Sequence, residues 1–264
     1  MRKFNNQTLR KILGKKYDEN FFSDGSGKLG RELDKKGILV LPDFLSNKAL
    51  RALQKESVSL KKRAYRSESV YNLYVLPEDK KSAADSPRNR KFTTTKGCIA
   101  DDQIPRDSIL RKIYDAPLFR AFICRLQGLE AVFPYADTLS SININYYDPG
   151  DSLEWHFDNA DFAVTLLLKN CEKGGVYEYV PNVRYTPKGE EDSATLTKIL
   201  DGKLEPKRVA MEAGSLMIFR GNRSLHRVTP VESGERVLVT LNYNVKPGIP
   251  LSEKSRKTFF GRTK

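Results

Sequence analysis

The chain carries two histidines, His156 and His226, so each can be weighed singly. His156 lies in Glu154-Trp155-His156-Phe157-Asp158, where the pattern predicts a strand. On a strand, positions i and i+2 project from the same face, so the His156 imidazole and the Asp158 carboxylate stand side by side. His226 opens a second predicted strand, Leu225 to Val231. Arg236 follows it by ten residues, just past the turn Glu232-Ser233-Gly234-Glu235. Two imidazoles and a carboxylate can occupy one face of an octahedron around a divalent metal, leaving three positions open.

That donor set, His156, Asp158 and His226, is the facial triad of non-haem Fe(II) oxygenases, and it makes these three the candidate metal and catalytic residues. The open positions match the needs of the chemistry: two for a bidentate 2-oxo acid such as 2-oxoglutarate, one for dioxygen. Arg236 has the planar fork that pairs bidentately with the far carboxylate of 2-oxoglutarate. The bland alternative is that a strand histidine is a satisfied core residue and that His-x-Asp arises by chance. Against it, the His-x-Asp pair, the distal histidine, the spaced arginine and the strand order all agree.

Strands must position these groups. Eight short ones are predicted between turn residues: Ser141 to Tyr147, Leu153 to Phe157, Phe162 to Lys169, Val176 to Val180, Arg208 to Met211, Ser215 to Arg220, Leu225 to Val231 and Arg236 to Val245. Such a series argues for a sandwich or barrel. In the last strand Arg236, Thr240, Asn242 and Asn244 share one face, with Val237, Val239, Leu241 and Tyr243 on the other. In the first, Ser141, Asn143 and Asn145 oppose Ile142, Ile144 and Tyr146. A polar stripe that includes Arg236 points to a polar barrel interior, with Asn143, Asn145 and Thr240 beside the cosubstrate. The alternative is that the stripe faces water and only the apolar face is core.

The rest of the chain frames this core. Residues 1–36 are polar and basic and are expected as an N-terminal extension, with the Gly-rich patch Ser23 to Gly30 a loop. Residues 37–138 read as a mostly helical support region: Ser46 caps a helix to about Arg63, residues 77–106 look irregular, and short helices are expected at Ser108 to Tyr114 and Pro117 to Leu126. The strand-rich core region spans 139–247. It is interrupted by a charged insertion, 182–206, with a helical candidate at Asp192 to Leu200, expected as a surface lid. A tail, 248–264, closes what is expected to be a single 264-residue domain.

Composition fits a globular protein: 39% hydrophobic and 30% charged residues over 264 positions are enough to bury a core without disulfides. Three widely spaced cysteines, none at zinc-ligand spacing, suggest free thiols and a reducing cytoplasm. No apolar run reaches bilayer-spanning length, so no membrane association is expected. A net charge of +13 could attract a polyanion. The basic residues are nevertheless dispersed, and no nucleic-acid-binding motif is present.

Beyond the metal residues, the sequence resembles the bacterial Fe(II)/2-oxoglutarate oxygenases related to the lysine halogenase BesD. The resemblance runs from about Phe92 to the C-terminus. It is carried by Phe92-Thr93-Thr94, Asp102-Gln103-Ile104-Pro105, Trp155 to Leu168, Gly174-Gly175-Val176-Tyr177-Glu178-Tyr179-Val180-Pro181, Leu225-His226-Arg227-Val228-Thr229-Pro230, and the tail through Phe260-Gly261-Arg262. It implies a mainly β fold with a double-stranded β-helix core, jelly-roll and cupin-like, and with helices on one outer face. It also implies a small polar substrate, a free amino acid or derivative. The halogenating branch carries Gly in place of the metal carboxylate, so Asp158 places this chain with the hydroxylating branch. Candidate substrate contacts are Asn159 and Asp161 after the metal motif, Asn242 and Asn244 along the stripe, Phe260 in the tail, and Arg90 for a substrate carboxylate. Two other readings stay open: an oxygenase acting on a protein or nucleic acid, which would show an open groove lined by Lys and Arg, and a non-catalytic binding protein on the same fold.

Overall fold

The computed structural model describes residues 6–24, 26–184 and 189–264. Met1 to Asn5, Gly25 of the Gly-rich patch and residues 185–188 of the insertion lie outside them. The chain begins with three helices, α1 (Asn6–Ile12), α2 (Glu19–Asp24) and α3 (Ser26–Lys36), followed by strand β1 (Ile38–Leu41) and helix α4 (Asn47–Leu60). Ser46 caps α4, its hydroxyl accepting from the Ala49 amide at 3.4 Å. Two long strands follow, β2 (Tyr65–Asn72) and β3 (Lys91–Ile99), then helices α5 (Ile109–Tyr114) and α6 (Pro117–Gln127).

The strands predicted first then form in order, β4 (Ile142–Tyr147), β5 (Leu153–His156), β6 (Ala163–Lys169) and, after a two-residue β7 (Lys173–Gly174) that was not expected, β8 (Tyr177–Val180). Helix α7 (Ser193–Leu200) precedes β9 (Lys207–Val209), β10 (Leu216–Phe219), β11 (Leu225–Val228), β12 (Val231–Ser233) and β13 (Arg236–Leu241), and helix α8 (Glu253–Phe260) ends the chain. The turn between β4 and β5 has the chemistry that a type II turn requires. Pro149 presets its own φ, Gly150 adopts φ 93°, and the Asp151 amide donates to the Asp148 carbonyl at 2.9 Å.

All pairings are antiparallel. The large sheet runs β1-β10-β6-β13-β4-β3-β2 and the smaller one β5-β11-β8-β9. The chain passes from one sheet to the other at β4 to β5, β5 to β6 and β6 to β8, and again at β9 to β10, β10 to β11 and β11 to β13. This is the double-stranded β-helix that the family resemblance implies, and a form of the sandwich or barrel expected from the strand series. Two cores result. Ile142, Ile144, Val164, Leu166, Val237, Val239 and Leu241, on the outer face of the large sheet, pack under the helices with Leu33, Leu53, Phe119 and Phe122. Between the sheets, Tyr177, Tyr179, Met217, Phe219 and Val228 form a second cluster. The polar stripe lines the inside: Asn143, Asn145 and Arg236 are buried, so it does not face water.

Several expectations are corrected. Residues 6–36 do not extend into solvent; Leu9, Ile12, Tyr17, Phe22 and Leu33 are buried in the main core. The Gly-rich patch is not a loop either, because Leu29 and Leu33, one helical turn apart, seat α3 in that core, and packing outweighs glycine's weak helix propensity. The support region carries the expected helices but is not helical throughout, since β2 and β3 pair in register from Tyr65↔Cys98 to Asn72↔Lys91 and widen the large sheet. The last strand ends at Leu241, and Asn244 instead bridges to Phe133. The strand expected from Leu225 to Val231 stops at Val228, since Pro230 has no N–H to donate to a ladder.

The described part of the insertion does not cover the site. α7, capped by Asp192 through the Thr195 amide at 3.0 Å, buries Leu196 and Ile199 against Trp155, Phe157 and Leu225. Those residues alternate with the histidines, so α7 backs the outer face of the small sheet. Leu196→Ala should therefore destabilise the protein by about 2–5 kcal/mol in urea unfolding. A change below about 0.5 kcal/mol, as at an exposed position, would show that α7 does not support the sheet.

Candidate active site

β5 and β11 pair directly at His156↔His226, and the next pair is Leu153↔Val228. Three residue steps on one strand against two on the other make a β-bulge, which re-aims side chains beside active sites. In a regular strand Leu153 and His156 would point to opposite faces. The bulge turns both inward, Leu153 into the inner apolar cluster and His156 toward His226, with ring centroids 4.2 Å apart. Beyond the strand end, the Phe157 amide donates to the Leu73 carbonyl at 2.7 Å and the Asp158 amide to the Gly221 carbonyl at 3.0 Å. Asp158 thereby returns to the histidines, its Oδ1 lying 3.5 Å from His156 Nε2 and 3.7 Å from His226 Nε2. One potential ligand atom from each of the three residues lies within 4.8 Å of the others.

The protonation state suits a metal. His156 Nδ1 is 2.7 Å from the Glu154 carbonyl and His226 Nδ1 is 2.9 Å from that of Ser224. A carbonyl only accepts, so each Nδ1 carries the proton and each Nε2 keeps its lone pair free for a cation. Burial, reinforced by the neighbouring His156, pushes His226 down to about 4, so it is neutral near pH 7. Burial alone would raise the Asp158 carboxyl. The adjacent histidines, in their charged forms, and Lys96 outweigh it and hold the carboxyl below the usual range.

Gly221 makes room for that carboxylate. A Cβ built on Gly221 would overlap the Asp158 carboxylate, 2.5 Å from its Cγ and 2.9 Å from its Cβ. No side chain fits there while Asp158 points at the histidines.

Three buried polar atoms around this space have no hydrogen-bond partner among the described residues: Asp158 Oδ2, the Tyr177 hydroxyl and Arg236 Nη1. The first is an acceptor suited to a cation, and the other two are donors suited to an anion. Burial raises the Tyr177 phenol well above its ordinary value, so it stays a donor. Tyr177 lies against the His226 ring, with centroids 5.8 Å apart, and joins Arg236 in lining a cavity of about 300 Å³ with Leu167, Cys171 and Met211. Arg236 is 3% exposed and has no acidic partner among the described residues; its guanidinium stands 5.7 Å from the Tyr147 ring centre. The residues present therefore fit a divalent metal on the triad and an anion at Arg236.

The other expected residues divide. Asn145 faces the interior and accepts from Lys96 Nζ at 2.8 Å. Asn143 and Thr240 pair across β4 and β13, four residues from the Arg236↔Tyr147 pair and so about 13 Å along the strand. They are not brought to Arg236. Instead the Asn242 amide donates to both, at 3.1 and 3.2 Å, and to the Ser140 carbonyl at 2.7 Å. Asn244 donates to the Ile249 carbonyl at 2.9 Å. Asn159 and Asp161 are exposed in the loop after the triad, with Asp161 accepting from Asn222.

Two expected substrate contacts are placed elsewhere. Arg90 is bound to Asp201 at 3.0 Å and to the Asp85 carbonyl, bracing the end of α7. Phe260 is buried against Cys98, Ala100 and Leu139, and its neighbour Phe259 lies under Lys96 instead. Tyr177, Gly221 and Lys96 were not singled out from the sequence. Alternation would have placed Lys96 had β3 been recognised as a strand, whereas nothing local marks Gly221, whose partner is distant in sequence.

The Halogenase D family model matches residues 23–258. The chain belongs to the Halogenase D family. No curated protein matches the sequence. In solved structures the fold is similar to a 2OG-Fe(II) oxygenase family oxidoreductase from Burkholderia pseudomallei, with TM-score 0.55 and 15% identity over 85% of this chain and 93% of that one. It is also similar to the α-ketoglutarate-dependent epimerase SnoN of nogalamycin biosynthesis, with TM-score 0.58 and 14% identity over 87% and 93%. A third is the Trichoplax adhaerens prolyl hydroxylase in complex with a hypoxia-inducible-factor peptide fragment, with TM-score 0.54 and 15% identity over 84% and 90%. At these identities the likeness is one of fold. In this Halogenase D family member a carboxylate, Asp158, stands beside the two histidines.

Gly221→Ala should drive a methyl group into Asp158. Binding of Co(II), read from the visible absorption of the bound ion, should weaken about 10–100-fold, the usual loss when a group supporting a ligand is removed. In an Asp158→Ala background the same substitution should have little further effect. Equal losses in both backgrounds would show that Gly221 supports the fold and not the ligand.

Proposed function

We propose that the protein is an Fe(II)- and 2-oxoglutarate-dependent dioxygenase that hydroxylates a small polar molecule, a free amino acid or derivative. The observation that carries this reading is Arg236: a buried guanidinium with an orphaned N–H, on the strand after the second metal histidine. An unpaired buried charge is costly, so the fold has use for an anion there. The cavity beside Arg236 and Tyr177 has room for the distal end of a small anion, and none of the triad residues lines it.

In this reading His156, Asp158 and His226 hold Fe(II), and Arg236 with the Tyr177 hydroxyl holds the distal carboxylate of 2-oxoglutarate. Bound together, iron and the 2-oxo acid would supply the oxidation of an unactivated C–H bond by dioxygen, with 2-oxoglutarate converted to succinate and carbon dioxide. The protein's part is positional. The Glu154 and Ser224 carbonyls fix the imidazole tautomers, Gly221 leaves space for the carboxylate, and Phe219, Tyr177 and Met217 keep the interior dry. Asp158 also supports hydroxylation over halogenation, since it fills the position that a metal-bound halide would need.

A reading as an oxygenase of nucleic acid or protein calls for an open basic groove. Arg66, Arg90 and Lys91 are instead paired with Asp151, Asp201 and Glu78, which favours a small substrate.

Succinate formation from 2-oxoglutarate, with iron and ascorbate, tests the class. Arg236→Ala should raise the apparent 2-oxoglutarate constant by orders of magnitude, as expected for about 2–5 kcal/mol at a buried charge pair; an unchanged constant would remove Arg236 from this role. With a panel of amino acids in high chloride, mass spectrometry should find a product that has gained one oxygen. A chlorinated main product would overturn the role given to Asp158.

A further inference from the structure

Cys171 lies in the turn between β6 and β7, and its thiol donates to the Gly174 carbonyl at 3.3 Å. It is half-buried and lines the same cavity of about 300 Å³ as Arg236. Gly175 lets the two side chains approach each other. A Cβ on Gly175 would stand 2.5 Å from Cys171 Sγ and 3.1 Å from Arg236 Cδ, so both converge on the place that this glycine leaves open. The other two thiols are placed differently. Cys98 and Cys124 are buried in packed clusters, and burial pushes both up, Cys98 to about 11.

Arg236 sets the charge of the cavity. It is 3% exposed, and its Nη1 has no hydrogen-bond partner among the described residues. Arg208, also on the lining, is held by the buried Glu178 at 3.0 Å. Glu212, the acidic residue of the lining, is exposed to solvent. An anion that enters therefore meets one buried, uncompensated guanidinium with a thiol beside it. Leu167, Val209 and Met211 supply apolar walls, which strengthen the pairing of a guanidinium with a carboxylate.

We propose that Cys171 is a covalent modification site for small electrophiles that carry a carboxylate, with Arg236 as the anchor that holds the carboxylate beside the thiol. A neutral electrophile of the same size has no such anchor. In the reaction the thiol gives its proton to water, and the sulfur forms a bond to the electrophilic carbon. With a haloacetate the carbon–halogen bond breaks and halide leaves. With an α,β-unsaturated acid the π bond breaks, and the carbon next to the carboxylate takes a proton from water. Neither reaction needs an oxidant or a reductant. The adduct leaves its carboxylate on Arg236. On the oxygenase reading above, that is the place of the distal carboxylate of 2-oxoglutarate, so the modification would exclude the cosubstrate.

The test treats the full-length protein with iodoacetate and, in parallel, with iodoacetamide, and follows each cysteine by peptide mass spectrometry. Rates are divided by those of N-acetylcysteine in the same tube. So normalised, iodoacetate should outpace iodoacetamide at Cys171 by about ten- to a hundred-fold, the range for a hydrogen bond to a charged group. Succinate should slow the iodoacetate reaction of the native protein. Arg236→Gln should remove the preference for iodoacetate, with Cys98 still unlabelled as the sign that the variant is folded. The assignment is overturned if the native protein shows no preference for iodoacetate at Cys171, if succinate has no effect, or if folded Arg236→Gln keeps the preference. Protection of Cys171 by 2-oxoglutarate with Co(II) tests the oxygenase reading separately. Selective alkylation without that protection would remove 2-oxoglutarate from Arg236 and uphold the modification site.

Discussion

The pairing of His156 with His226 across β5 and β11 is the constraint on which the rest of the site depends. Two imidazoles can share one cation only if they leave neighbouring strands at the same height and toward the same side. The register supplies the height, and the bulge between that pair and Leu153↔Val228 supplies the side. A slip of one residue would send both rings to the outer face, where Trp155 and Leu225 pack against α7. The apolar contacts behind the small sheet thus hold a polar geometry in front of it. Asp158 then needs only a short return from the strand end, which the Leu73 and Gly221 carbonyls fix.

Much of this is legible in the sequence, because the first and last jelly-roll strands largely alternate, with Leu238 the one apolar residue on the polar side, and turn residues separate the strands. Alternation places Val237, Val239 and Leu241 against the helices and Arg236 inside, as the structure has it. The parts that are not legible depend on contacts distant in sequence. The Gly-rich segment around Ser26–Gly30 is helical because Leu29 and Leu33 meet a core built mostly from later residues. The polar β3 becomes a strand because β2 and β4 flank it on either side. Phe259 and Phe260 are adjacent and chemically alike, so only the docking of α8 decides which meets Lys96. Arg90 resembles a ligand clamp by composition alone, until Asp201 is folded onto it.

The charge distribution is easier to understand inside than outside. A net charge of +13 suggests a polyanion surface, yet many of the basic residues are held in local pairs, such as Arg208 and Arg227 on the buried Glu178. The two cations without acidic partners that matter most, Arg236 and Lys96, both face the barrel interior, one deep and one at its side. Ordering several polar groups with nothing to bind would leave desolvated charge uncompensated, a cost that natural folds accept mainly where a ligand relieves it.

The place of the Asp158 carboxylate beside the two histidines is set by two residues together. Asp158 can point at the histidines only because residue 221 has no side chain, since even one methyl group would overlap the carboxylate. Positions 158 and 221 are therefore one steric unit. A carboxylate at 158 requires glycine at 221, while loss of the carboxylate leaves a gap bounded by the Gly221 backbone and the two imidazoles. An anion of modest size could enter that gap from the metal side without any change at 221. A larger residue at 221 would close it and leave a two-histidine site with no third protein ligand. The choice between filling the position with protein and leaving it to a small anion is thus made at 158, but it is available only because 221 is glycine.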